Sequence, residues 1–281
     1  MPPSRLCLCL FSLVPLSVAA QNSFISTWQA RASRAQSEQP HWVTPLATVT
    51  PRLEQEFRTD FVRQTTPTLT QTWIYDNGKG LELIPTTHTE LLINLPPYVT
   101  HSTPAGKDGA GDVSFLGKYR IFAGNEEHGN YILTAFVGGS IPTGSYTNGA
   151  QEPAVIPTLA GGKGIWRFDV QSTLGATLPL SRGTQYGRPI AWNTALQYKA
   201  GGSAKPGSRI PSIWPEVEFN STFFKGGTND GKTQNFASPG LIARFPIHHR
   251  LALVFGAGDQ IATSRFHSYN HGLLFTARMP F

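Results

Sequence analysis

The run Gly226-Gly227-Thr228-Asn229-Asp230-Gly231-Lys232-Thr233 matches the phosphate-binding pattern GxxxxGK[ST] in full. That chemistry needs a strand before the loop and a helix starting at its end, because loop amides and the helix amino terminus together hold the phosphates. Gln234-Asn235-Phe236-Ala237-Ser238-Pro239-Gly240 follows here and cannot begin a stable helix. The run therefore reads as a flexible loop, and no nucleotide is implied. Glu126-Glu127-His128, His248-His249 and the pair His267 and His271 have metal-like spacings, yet none brings a third and fourth ligand into view. No metal or other cofactor follows from them.

Charged residues at alternate positions are more informative. In the stretch from Arg52, the residues Arg52, Glu54, Glu56, Arg58 and Asp60 share one face, and Leu53, Phe57 and Phe61 the other. Charges of both signs in one row, backed by apolar residues, suit a strand with a water-lined side and a lipid-facing side. The same parity places Glu82, Glu90, Lys118, Arg120, Arg167, Asp169, Lys199, Glu216, Glu218, Arg244 and Arg278 on the inner face. Two accounts fit this set. The charges pair across neighbouring strands and fill a narrow lumen, or opposed acidic and basic sides line a permeation path. Glu54, Glu56, Arg58, Glu216 and Glu218 are the leading candidates for shaping it.

The elements that must carry these residues are short strands. Alternation predicts a first strand from Arg52 and others near 68–76, 79–95, 112–122, 130–141, 154–161, 165–178, 189–199, 212–224, 234–245, 250–262 and 269–281. That makes about twelve, an even number as single-chain barrels of this type have. Asn77-Gly78 reads as a tight hairpin, and Leu81, Leu83, Leu91, Ile93 and Leu95 keep one parity across Pro85 as one long strand. Connections at 96–111, 142–153, 181–188 and 225–233 read as longer outer loops. Tight inner turns are expected at 77–78, 162–164 and 246–249, with less regular inner connections at 123–129 and 200–211. The last strand puts Leu273, Phe275, Ala277, Met279 and Phe281 on one face, with Gly272, Thr276 and Arg278 on the other. Trp73, Tyr75, Trp166, Trp192, Tyr198 and Trp214 are expected on outward parities or near strand ends, where rings favour the lipid–water boundary.

At the amino end, Arg5 precedes an apolar stretch from Leu6 to Val18, then Ala19, Ala20 and polar Gln21. The stretch is too short to span a bilayer and reads as a signal peptide cleaved after Ala20. Cys7 and Cys9 would leave with it, so the exported chain would hold neither a disulfide nor a thiolate metal site. Residues 21–51 show no period and read as a periplasmic lead-in, and 52–281 as the barrel. Without Arg5 the balance is 22 basic against 17 acidic residues, scattered along strands, so nucleic acid is not an expected partner. An export signal and an aromatic carboxyl-terminal strand together point to a monomeric all-β, single-chain antiparallel transmembrane barrel of the bacterial outer membrane.

The run Gly111-Asp112-Val113-Ser114-Phe115-Leu116-Gly117-Lys118-Tyr119-Arg120, then Ile141-Pro142-Thr143-Gly144, then Thr158-Leu159-Ala160 ahead of Phe168-Asp169-Val170, resembles the family labelled the MetA-pathway of phenol degradation. The likeness covers roughly residues 50 to 281. It implies an outer-membrane barrel that transports aromatic or other hydrophobic compounds, with no catalytic residues to carry over. Gly272, Phe275, Ala277 and terminal Phe281 also resemble the signal recognised by the barrel assembly machinery. The leading expectation is passive diffusion of small solutes, aromatic or hydrophobic ones included. The second is a structural or surface-binding barrel with a plugged lumen. The third is a lipid hydrolase using His271, for which no serine and acid partner are specified.

Overall fold

The computed structural model describes residues 14–77, 79–181, 187–203, 205–248 and 250–281. Helix α1 (Val14–Ser37) leads into an irregular stretch that ends at residue 55. The strands are β1 (Glu56–Thr65), β2 (Gln71–Tyr75), β3 (Gly80–Thr86), β4 (Thr89–Asn94), β5 (Tyr98–His101), β6 (Gly109–Ala110), β7 (Val113–Gly124) and β8 (Tyr131–Ile141). They continue as β9 (Ala154–Ile165), β10 (Phe168–Ala176), β11 (Leu178–Pro179), β12 (Ile190–Tyr198), β13 (Ser212–Phe223), β14 (Thr233–Pro246), β15 (Ala252–Ala262) and β16 (His271–Pro280).

Twelve of these form a closed antiparallel barrel in the order β1, β3, β4, β7, β8, β9, β10, β12, β13, β14, β15, β16. The seam is continuous, because β16 pairs back onto β1 from Glu56↔Pro280 to Thr65↔His271. Closure removes every sheet edge, so the wall satisfies its own backbone groups where lipid cannot. β2, β5 and β6 extend the wall of β3, β4 and β7 beyond the breaks in those strands, and β11 adds a short pairing to β9. The two-residue period decides the faces. In β1, Glu56, Arg58 and Asp60 are buried while Phe57 and Phe61 are exposed. Around the wall, Phe115, Val137, Leu159 and Phe219 are each about half exposed on the outside, and Glu90, Lys118, Glu218 and Arg278 are buried inside. This inversion of a water-soluble core is what a lipid-facing barrel requires.

The twelve expected strands match in number, but the second and third are divided differently. β2 and β3 both run antiparallel to β1, so they share one direction, and no hairpin separates them at Asn77; Gly78 lies outside the described residues. The hairpin lies at 87–88 instead, joining β3 to β4. Parity could not detect it, because Leu83↔Leu91 and Leu81↔Ile93 pair odd with odd positions, and the outward face continues unchanged through the turn. The turn expected at 162–164 lies at 166–167, with Trp166 in the left-handed region at φ 57°, and Gly161, Gly162 and Gly164 stay in β9. Residues 52–55 are not on the first strand, which begins at Glu56. The loop expected at 181–188 and the turn at 246–249 include positions outside the described residues, as does most of the expected signal segment.

Since β2 and β3 run in one direction, Thr68 and His88 lie at opposite ends of the barrel. Single cysteines at Thr68→Cys and His88→Cys should react with an impermeant maleimide from opposite sides of an oriented bilayer. Labelling of both from one side would restore the hairpin at 77–78.

Candidate functional site

The lumen is occupied by the protein's own residues 39–55. Gln39, Leu46, Thr48, Thr50, Leu53 and Gln55 are at most 4% exposed, in a stretch with no regular backbone pattern. Such a chain has no ladder of its own, so its amides and carbonyls must be met by side chains of the wall. Carboxylates take the N–H groups: Glu216 accepts from Leu46 at 3.1 Å, Glu218 from Ala47 at 2.7 Å and Thr48 at 2.5 Å, and Glu90 from Glu54 at 2.5 Å. Cations take the carbonyls. Arg58 donates to Leu46 at 2.7 Å, Arg278 to Thr44 and Pro45 at 2.5 and 2.8 Å, and Lys118 to Arg52 at 3.2 Å, while Arg120 donates to Ala35 of α1 at 2.6 Å. Neutral groups complete the set, with Gln171 donating to Val43 at 2.9 Å and Thr134 to Pro51 at 2.6 Å. The stretch therefore touches β1, β4, β7, β8, β10, β13 and β16, most of the way round the wall.

Shape follows the same logic. Added methyl groups at Gly240, Gly256 and Gly258 would come within 2.5, 2.6 and 2.8 Å of the Leu46 methyls, and one at Gly162 within 2.5 Å of the Trp42 ring. A glycine within a strand marks close approach of another group, and these glycines leave the space that Leu46 and Trp42 fill. Leu46 and Val43 join Val62, Trp214, Ile242, Val254 and Leu274 in an apolar cluster inside the barrel. A second cluster, Ala32, Ala35, Leu53 and Ile84, fixes α1 at the inner mouth.

The charged residues named from parity mostly point inward, and some pair with one another while also bonding the inserted chain. Arg58–Asp60 at 2.7 Å and Lys118–Glu90 at 2.8 Å are buried pairs whose members also hold the inserted chain, and Arg52–Glu54 at 3.0 Å is a buried pair within that chain. Asp169 is buried, bonded to Gln171 at 2.9 Å. Arg244 lines an inner vestibule with Lys199. Arg167 departs from expectation. It lies exposed in the 166–167 turn, its guanidinium 5.5 Å from the Trp166 ring, because β9 is longer than its glycines suggest. Trp214 also departs, facing inward at 5% exposure. Within residues 21–51, 21–37 belong to α1 and 39–51 run inside the barrel. In the last strand Gly272 faces inward, while Phe275 and Ala277 face outward; Phe281 follows the strand's last residue, binds Gln55 through its amide at 3.1 Å and lines the vestibule.

The neutral luminal residues Gln171, Gln197, Asn193 and Asn220 escaped a search keyed to charge. Asn220 bonds Asn193 at 3.3 Å, Ser238 at 3.2 Å and Gln260 at 3.4 Å, so the outer half of the lumen is lined by amides and hydroxyls. On the outer surface His271 meets Asp259 at 3.0 Å, an acid partner invisible in the sequence; among the described residues no serine bonds its ring. Thr233 opens β14 instead of a helix, so the phosphate-loop pattern lacks the element it needs. No three histidine, cysteine, aspartate or glutamate side chains converge among the described residues.

The fold is similar to that of the COG4313 outer membrane channel from Pseudomonas putida F1, with a TM-score of 0.56 and 17% identity over 85% of this chain and 100% of that one. The NanC porin aligns over 81% of this chain and 98% of its own at 8% identity, with a TM-score of 0.48. No family model matches the chain, so the likeness to the phenol-degradation family gains no such match, and no curated protein sequence matches it.

Two outcomes follow from how the chain is held. Glu218→Ala leaves the Ala47 and Thr48 amides without acceptors, at about 1–3 kcal/mol each; a Thr48→Cys thiol should then react at least about tenfold faster with maleimide, while barrel migration on unboiled gels is unchanged. Equal reactivity would mean the wall does not hold the segment there. The second outcome concerns acid. His41 donates its amide to Glu126 at 2.7 Å, and its ring nitrogen lies 2.7 Å from the same carboxylate. Burial alone would raise the Glu126 pKa, but the His41 bonds outweigh it and hold the carboxyl below its ordinary value. A depressed carboxyl stabilises above its unfolded pKa and loses that contribution as pH falls through the folded one. Hydrogen exchange at the His41 amide should therefore accelerate below about pH 4 beyond its intrinsic trend, and be fast throughout in Glu126→Gln. Unchanged protection in the variant would show that this anchor is idle.

Proposed function

We propose that this chain is an outer-membrane channel for passive diffusion of small solutes, held closed by its own residues 39–55. The observation that carries this reading is how the segment is held. It lies inside a polar lumen by hydrogen bonds from wall side chains to its backbone, and no covalent bond fixes it there. Each such bond can be exchanged for one to water, so displacement costs the sum of modest net terms and the exposure of Val43 and Leu46, and not the unfolding of the wall. The likeness to the phenol-degradation family supports aromatic or hydrophobic compounds as the solutes. The apolar stretch before Ala20 supports export through a cleaved signal, and Gly272, Phe275, Ala277 and Phe281 support recognition by the assembly machinery.

A second reading, a permanently filled barrel whose outer loops bind partners, draws on the completeness of the same bonding. Planar bilayers separate the two. The intact chain should show small or intermittent conductance, and Glu216→Ala with Glu218→Ala should raise the mean conductance several-fold, with solute-dependent swelling of liposomes. Silence from both proteins, with no swelling, would leave the filled barrel.

A further inference from the structure

Below the inserted segment, the inner mouth encloses a vestibule of about 480 Å³ between α1, the chain at 41–44, and the inner ends of β12 to β16. Five cationic side chains line it, Arg52, Lys199, Arg244, Arg250 and Arg278, against the side-chain carboxylates of Glu54 and Glu56 and the main-chain carboxyl of Phe281. Internal bonding does not cancel this excess. Glu54 is taken by Arg52 at 3.0 Å, and the donors of Arg278 are spent on Thr44, Pro45 and Thr276. Arg244 forms no hydrogen bond or ion pair among the described residues, and Lys199 has only the Trp214 ring, 5.8 Å from its ammonium. The Nη2 of Arg250 and the Nε of Arg52 are buried without an acceptor, and Arg52 is 8% exposed. Three cations, Lys199, Arg244 and Arg250, the last also donating to the Gln29 carbonyl at 2.6 Å, thus face two carboxyl groups without an ion pair, Glu56 and the main-chain carboxyl of Phe281.

Register sets the spacing of the donors. Arg244 pairs with Val254, and Val254 with Arg278, so the two guanidinium-bearing positions stand level and two strands apart, roughly 10 Å between backbones. Val254 stands between them, and Trp214 and Trp42 line the same vestibule, all three buried. Buried guanidinium donors without acceptors, beside apolar and ring surfaces, are complementary to a compact anion with an apolar body.

The geometry points to an oxyanion-binding site in the inner vestibule, taking a carboxylate or phosphate head group against Arg244, Lys199, Arg250 and Arg52, with the Trp214 and Val254 surface receiving the remainder of the ligand. The site does not depend on the pore reading: a barrel that never conducts could still bind the anion.

Calorimetry on the full folded chain in detergent tests it with sodium benzoate, inorganic phosphate and neutral benzyl alcohol as probes. Benzoate should bind saturably, and benzyl alcohol at least about tenfold more weakly. Arg244→Gln with Lys199→Gln should weaken benzoate by about tenfold or more, the worth of one charge-assisted contact. Lys225→Gln in an outer loop should leave it unchanged. Phosphate binding as well as benzoate would assign the recognition to the oxyanion head alone; benzoate without phosphate would add the apolar body as a requirement. Equal affinity for benzoate and benzyl alcohol would overturn the proposal. So would undiminished benzoate binding by the double variant, provided it keeps the parent's mobility on unboiled gels.

Discussion

A polypeptide without regular structure can lie at membrane depth only if every backbone group finds a partner inside the protein. For residues 39–55 the barrel wall supplies many of those partners, and the rest of the molecule is arranged around them. Acidic side chains on β4 and β13 accept the amides, and basic ones on β1, β7 and β16 donate to the carbonyls. The wall in turn gains from the guest. Glu218 is fully buried, and a carboxylate so placed is costly unless it is hydrogen-bonded. Wall and insert therefore stabilise each other, and neither polar set would be tolerable alone.

The packing obeys a matching constraint. Inward positions of β9, β14 and β15 carry glycine where Leu46 and Trp42 press against the wall. Larger residues, Trp214, Ile242 and Val254, close the apolar cluster beside them. The lumen is consequently divided along its axis. Its inner half is charged and filled, and its outer half is lined by Asn193, Asn220, Ser238 and Gln260.

Much of the wall was legible because lipid on one side and a polar interior on the other impose a period of two. Phe57, Phe61, Glu56, Arg58 and Asp60 could be assigned to faces from their order alone. The same rule misled at two places. The hairpin at 87–88 keeps parity through its turn, so one long strand and two paired ones look identical. The glycines of β9 read as a turn because nothing in their neighbourhood shows Trp42, which lies more than a hundred positions earlier. Arg167 was misplaced as a result.

What the sequence determined by itself is what local order controls: an all-β wall, its strand number, and which side chains face in. What the inward charges act upon was decided only by the tertiary structure. Parity can say that Glu218 and Arg278 point to the lumen, but not that Ala47, Thr48, Thr44 and Pro45 wait there. Those contacts join residues some 170 to 234 positions apart. They exist because the closed barrel brings distant strands around one axis and the irregular segment, lacking any period, takes its shape from the wall that surrounds it.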